Sequence, residues 1–278
     1  GEMKLDSHQH FWHYNPNEHI WMNDQMEVLK RDYEPKDLQS LLKTTGFDGT
    51  IAVQARQMLE ETQWLLDLSD QYDLIKGVVG WVDLRSEEID AQLERFAKHD
   101  KLKGVRHVVQ EEPDDNFMLG DNFLRGISKL KAHDLTYDLL VFPRQLPASI
   151  KIVEQFPELP FVVDHIAKPD IKNNVVSGWE EDIRTLAKFP NVMCKLSGMV
   201  TEADWQSWTP SEFQVYMDII MESFGPKRIM IGSDWPVCTL CGSYEEVMQI
   251  VTDYISQFSP EIQNDILGEN CARFYRVS

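Results

Sequence analysis

The chain has 278 residues, 46 acidic against 27 basic side chains, and a formal net charge of −19. Such an acidic excess repels phosphate backbones and anionic membrane surfaces, which argues against nucleic-acid or membrane partners. No stretch approaches the roughly 18 apolar residues of a membrane span, and no basic-then-apolar signal opens the chain, so a cytoplasmic enzyme is expected.

Taken in chain order, strand-like apolar runs fall at residues 3–8, 49–54, 75–83, 103–109, 137–142, 161–165, 192–197 and 228–234. Between most of them lie segments with apolar residues at i, i+3, i+4 spacing, at 35–45, 60–72, 86–99, 121–133, 147–156, 178–189 and 210–224. Two more helices, 243–258 and 260–275, end the chain. Strand and helix alternate, the pattern of an α/β chain with a parallel sheet. A doubly wound sheet would want a glycine-rich turn after the first strand, where His8, Gln9 and His10 stand instead. The expected fold is a (β/α)8 TIM barrel, as one domain over residues 1–278 with no linker or repeat to divide it. Gly1-Glu2 ahead of Met3 reads as an expression remnant.

Four cysteines, Cys194, Cys238, Cys241 and Cys271, are too few for a disulfide framework and suit a reduced compartment. Cys238-Thr239-Leu240-Cys241 has redox or zinc spacing but no second ligand pair beside it, and reads as an incidental loop pair.

Residues i and i+2 of a strand point the same way, so His8 and His10 face one site. Asp234 follows the last apolar run. Histidines at the end of an early strand and a carboxylate at the end of a late one place a site at one barrel mouth. The other polar residues at strand ends are Gln54 with Arg56, Trp81 with Asp83, Arg106 with His107, Asp138, His165 with Lys168, Lys195 with Ser197, and Trp235. Arg106 and His107 alternate, so one of the two faces the mouth. Asp83 and Asp138 suit helix caps or braces for a histidine. Lys195 suits a cation near developing negative charge, or a partner for Asp138 or Asp164. Trp12, Trp21, Trp81 and Trp235 suit pocket walls or rim packing.

The blocks Asp6-Ser7-His8-Gln9-His10-Phe11-Trp12, Val79-Gly80-Trp81-Val82-Asp83-Leu84, Gly104-Val105-Arg106-His107 and Asp164-His165-Ile166-Ala167-Lys168-Pro169 run along the chain in order. They continue in Lys195-Leu196-Ser197-Gly198, Gly232-Ser233-Asp234-Trp235-Pro236 and Gly268-Glu269-Asn270-Cys271-Ala272-Arg273-Phe274-Tyr275. Together they resemble the amidohydrolase superfamily, its amidohydrolase-2 group, and within it the sugar lactonases of the L-fuconolactonase and L-rhamnonolactonase branch. The resemblance implies a distorted barrel of the amidohydrolase type. It implies one or two divalent metals on the HxH pair, a bridging lysine on strand four, later histidines and a final aspartate. Strand four here ends in Arg106-His107 with no lysine in the bridging place, and strand five carries Asp138 in place of a histidine. His8, His10, His165 and Asp234 carry over, as catalytic residues and as ligands if an ion is bound.

The activity this implies is hydrolysis of a sugar-acid lactone, of the L-fucono-, L-rhamnono- or L-galactonolactone class, to the open-chain aldonate. Asp234 would activate the water as general base, and His8, His10 and His165 would polarise the carbonyl, through an ion or directly as donors. Gln54, Arg106, His107, Lys168 and Trp235 are the expected substrate contacts. No cofactor is obligatory; at most one weakly held divalent ion, zinc by ligand type, is expected, and the one partner is the small-molecule lactone. The rivals are a metal-dependent decarboxylase or hydratase of an aromatic acid, a dicarboxylate-lactone hydrolase using Arg56, Arg85, Arg106 and Arg144, and a scaffold without activity.

Overall fold

The computed structural model describes residues 2–278. Eight strands, β1 (Leu5–Gln9), β2 (Gly49–Val53), β3 (Ile75–Gly80), β4 (Leu102–His107), β5 (Thr136–Leu139), β6 (Phe161–Val163), β7 (Val192–Leu196) and β8 (Ile229–Ile231), pair in parallel in chain order. Beyond the ladders, His10 N donates to the Trp235 carbonyl at 2.7 Å and Asp234 N to the His8 carbonyl at 2.8 Å, drawing β1 and β8 together at their carboxyl ends. This is the (β/α)8 barrel the alternating pattern predicts.

Helices α1 (Pro35–Thr45), α2 (Leu59–Gln71), α3 (Ile89–Ala97), α4 (Asp121–Ile127), α5 (Leu146–Gln155), α6 (Trp179–Ala187), α7 (Gln214–Phe224) and α8 (Tyr244–Ile255) follow the strands in turn. The first shows how local chemistry sets their limits. Pro35 opens α1 with its φ preset for a helix and no N–H to satisfy; Pro35, Leu38 and Leu42 bury one face; Gly46 ends it at φ 84°. Most expected strands end a few residues early, because their last residues leave the ladder to serve the mouth. Trp81 N turns to the Thr62 hydroxyl at 2.8 Å, and His165 leaves β6 at φ 55°. The expected helices at 121–133 and 210–224 are each broken into an α-helix and a 3-10 turn.

The expected last helix, 260–275, is three pieces: α9 (Pro260–Asn264), a wider i to i+5 turn over Asp265–Glu269, and α10 (Asn270–Tyr275). Close packing explains the interruption. A Cβ on Gly268 would lie 1.7 Å from the Met3 carbonyl oxygen, and the Asn270 amide donates to the Pro226 and Ile229 carbonyls at 2.7 and 2.8 Å. The turn delivers α10 against the strands, where Cys271, Phe274 and Tyr275 join Leu5, Ile51, Val53, Val79, Val162, Met193 and Met230 in an apolar cluster of their own. A larger cluster fills the layer between strands and helices. Burying these two layers is the main force for the fold. No described helix is long and apolar enough to cross a membrane.

Candidate active site

At the carboxyl end of the barrel four side chains converge from β1, β6 and β8. His8 Nε2 lies 3.2 Å from His10 Nε2 and 3.8 Å from Asp234 Oδ1. His10 Nε2 and His165 Nε2 lie 3.2 and 3.7 Å from that same oxygen. All four residues are buried. The expected grouping of His8, His10, His165 and Asp234 is thus what the fold assembles.

Each member is held from behind. His10 Nδ1 donates to the Val53 carbonyl at 2.8 Å, and His165 Nδ1 meets the Ser197 hydroxyl at 2.8 Å. Residues 165–168 and Asp234 take left-handed backbone, unfavourable for side chains with a Cβ, and the turn swings the His165 ring over Gly198. Asp6 ties the β1–β8 seam: it accepts from Ser233 N at 2.9 Å, Ser233 Oγ at 2.6 Å and the Tyr244 hydroxyl at 2.9 Å. Burial lifts its carboxyl above the usual aspartate range against those bonds.

Beneath the imidazoles lies a buried charge network. Lys195 Nζ lies 2.8 Å from Asp138 Oδ2, 3.1 Å from His8 Nδ1 and 3.3 Å from Asp164 Oδ1. Arg106 donates from Nε to Gln54 Oε1 at 2.6 Å and from Nη2 to the Gln54 carbonyl at 2.8 Å, while Nη1 sits 3.3 Å from Asp164 Oδ2. The Tyr275 hydroxyl reaches in from α10 to Asp138 Oδ1 at 2.7 Å. Burial and then Asp164 push the Asp138 carboxyl up, whereas Lys195 and His8 overcome burial and hold Asp164 well below the usual range. Burial and then Lys195 press the His8 imidazole well below an ordinary histidine. Burial lowers His165 to about 4. Asp234 is held well below the carboxylate range, His165 and His10 outweighing its burial. At neutral pH the site therefore presents an ionised Asp234 beside neutral His8 and His165.

The expected substrate contacts fare less uniformly. Gln54 and Arg106 are spent on each other, and the Gln54 amide also donates to the Arg56 carbonyl at 3.1 Å. His107 is not brought to the mouth. Alternation gives that face to Arg106, and His107 turns outward to Glu112 at 2.9 Å and stacks on Phe117 at 4.8 Å between ring centroids. Trp235 is 3% exposed and packs against Tyr33 and Phe11, as rim packing. Lys168 is half-buried at the rim, Nζ 5.4 Å over the Phe142 ring. The strand-end rule did not single out Asp6 or Tyr275. Both stand inside blocks that carry the family resemblance, Asp6 in the first and Tyr275 in the last, but nothing local to Tyr275, far beyond the last strand, points to the site.

The donor set suits a divalent ion by spacing. Atoms bound about 2.0–2.1 Å from a tetrahedral zinc stand about 3.3–3.4 Å apart. His8, His10 and Asp234 bracket that value at 3.2 to 3.8 Å and form one compact ligand group, which His165, 3.7 Å from Asp234 Oδ1, does not join. Lys195 and Arg106 beside His8 add positive charge that such an ion would have to oppose.

Comparison with known proteins agrees with this geometry. The family model described as amidohydrolase matches residues 5–277. The chain is 38% identical, over 100% of its length and 97% of the relative's, to an L-fucono-1,5-lactonase of Burkholderia multivorans. It is 34% identical, over 99% and 96%, to an L-fucono-1,5-lactonase of Burkholderia ambifaria. A crystal structure of an amidohydrolase from Burkholderia multivorans with bound zinc superposes with a TM-score of 0.96 at 38% identity, covering 99% of this chain and 100% of that one. With the family model spanning nearly every residue and the barrel and its histidine–aspartate mouth in place, the chain belongs to the amidohydrolase family.

Proposed function

We propose that this protein hydrolyses a sugar-acid lactone to its open-chain aldonate, with Asp234 as general base. The observation that carries the reading is the convergence of Asp234 Oδ1 with the Nε2 atoms of His8, His10 and His165 in a buried mouth. The similarity to two L-fucono-1,5-lactonases supports the substrate class, L-fucono-, L-rhamnono- or L-galactonolactone.

Asp234 is ionised and accepts the proton of a water attacking the lactone carbonyl; it returns that proton to the ring oxygen as the acyl C–O bond breaks. Negative charge develops on the carbonyl oxygen and needs donors aimed at it. His10 cannot supply one while neutral, since its single N–H is committed to the Val53 carbonyl and Nε2 is a lone pair. His8 and His165 are left to donate from Nε2. A divalent ion held by His8, His10, His165 and Asp234 would add Lewis acidity at the same place. A lactone expels an alkoxide, an easier leaving group than an amine, so hydrogen-bond donors suffice.

The dicarboxylate-lactone rival needs free arginines. Arg56 is paired with Glu18 and Glu61, Arg106 with Gln54 and Asp164, Arg144 with Asp115, and Arg85 lies over the Phe117 ring. A panel of six-carbon aldonolactones, caprolactone and aromatic acids, followed by acid release, tests the proposal. The sugar lactones should be turned over fastest; caprolactone or an aromatic acid as best substrate would overturn it.

A further inference from the structure

We propose that Lys195 is a positioning residue that fixes neutral His8 as the tautomer protonated on Nε2, making His8 a hydrogen-bond donor to the lactone carbonyl and a poor metal ligand. The donor role rests on the lactonase reading; the tautomer stands on the network alone.

An ammonium has three N–H donors and no lone pair. Lys195 Nζ has three partners, Asp138 Oδ2 at 2.8 Å, His8 Nδ1 at 3.1 Å and Asp164 Oδ1 at 3.3 Å. Asp138 Oδ2 and His8 Nδ1 stand in hydrogen-bond geometry, while Asp164 Oδ1 is an ion-pair contact without a hydrogen bond; an ammonium can only donate, so the Nδ1 that faces Nζ at 3.1 Å must be the lone pair. A metal-binding histidine ordinarily has the reverse wiring, its outer N–H held by a carboxylate or carbonyl. His10 has that arrangement, through Val53. His8 does not: the nearest carboxylate, Asp164 Oδ1, stands 3.6 Å from Nδ1, beyond hydrogen-bond reach, and the lysine occupies the place.

The rest of the network agrees. Without substrate the Nε2 proton of His8 faces the His10 Nε2 lone pair at 3.2 Å, so donor meets acceptor from Lys195 to Val53, and on binding the lactone carbonyl takes over that proton from His10. Arg106 Nη1 competes, 3.4 Å from His8 Nε2. It has an alternative acceptor in Asp164 Oδ2 at 3.3 Å, whereas Lys195 has no fourth polar partner among the described residues and lies nearer the ring. Tyr275 completes the device by donating to Asp138 Oδ1, which leaves Oδ2 to Lys195. Binding an ion through His8 Nε2 would move the proton to Nδ1, into the face of the ammonium. The spacing of His8, His10 and Asp234 suits a metal; the protonation of His8 opposes it.

The test is the 15N spectrum of the histidine side chains in the metal-free wild-type protein at neutral pH, with His8→Gln to assign the signals. The proposal expects His8 with Nε2 protonated and Nδ1 bare; the opposite tautomer overturns it. A second readout is zinc affinity, by competition with a chromophoric chelator, for wild type and for the double variant Lys195→Met with Asp138→Asn, which removes the cation together with one of its carboxylates. Affinity should rise at least tenfold in the double variant, and a folded variant with equal or weaker affinity also overturns it. Neither readout uses turnover. If no sugar lactone is hydrolysed and His8 still carries its proton on Nε2, the substrate reading falls and the wiring stands.

Discussion

Replacing Gly198 by alanine probes how finely the mouth is set. Gly198 sits at φ 62°, and a Cβ there would lie 2.5 Å from Cγ, 2.6 Å from Nδ1 and 2.8 Å from Cβ of His165. Ordinary carbon contacts are about 3.5–4.0 Å, so the ring must retreat by about 1 Å. It has little room: Nδ1 is tied to Ser197 at 2.8 Å, and the His8 ring centroid stands 4.4 Å away. The left-handed backbone alone costs a residue with a Cβ about 1–2 kcal/mol, and overpacking adds about 1–3 kcal/mol. At about 2–4 °C per kcal/mol for a chain of this size, the midpoint should fall by about 4–20 °C. A misplacement of about 1 Å at a catalytic group costs about 10² in rate. Steady-state kinetics on L-fucono-1,5-lactone and a thermal melt read both effects, with kcat falling more than KM rises. A folded Gly198→Ala protein with wild-type kcat would refute the reasoning, because the ring could then not be where the structure puts it.

Three further outcomes follow from the same geometry. His165→Asn should lower turnover by about 10² with the fold retained, the usual cost of one lost donor at an oxyanion, and circular dichroism beside the kinetics checks it. Acid should destabilise the protein through His165. Its folded pKa, about 4, lies below the ordinary histidine value of 6.5, so the unfolded chain binds more protons in that window and stability is lost as pH falls through it, by about 2 kcal/mol at about pH 5. Urea unfolding at about pH 7.5 and about pH 5 measures the difference, and equal stabilities would contradict it. Metal analysis should find at most one divalent ion per chain, and chelation should leave most lactonase activity; two tightly held ions with activity restored by zinc would contradict this.

Much of the barrel could be read from the chain because its parallel strands are buried on both faces and appear as plain apolar runs, while the helices carry one apolar stripe each. Helix α1 matched its expected span because Pro35 and Gly46 punctuate it. The break in the last helix was hidden, since what forces it is the carbonyl of Met3, a contact between the two ends of the chain. At the site, the spacing of His8 and His10 and the place of Asp234 after β8 were legible from strand geometry. Which of Arg106 and His107 faces inward was a question of register, and pairing with β5 answers it. The roles of Gln54 and Arg106 were not legible, because a side chain committed to a buried partner and one open to substrate look alike in sequence. The pairing of Lys195 with Asp138 and Asp164 was one of the two readings open to it, but its contact with His8 was not foreseen. Tyr275 belongs to the same class: its use is fixed by how α10 packs against the strands.

The most direct test is the turnover of L-fucono-1,5-lactone by Asp234→Asn beside wild type. Asparagine keeps the shape and removes the acceptor of the water proton, so the rate should fall by about 10³ or more while the melting curve stays cooperative. Turnover within about tenfold of wild type in a folded Asp234→Asn protein would contradict the central claim that this carboxylate activates the water.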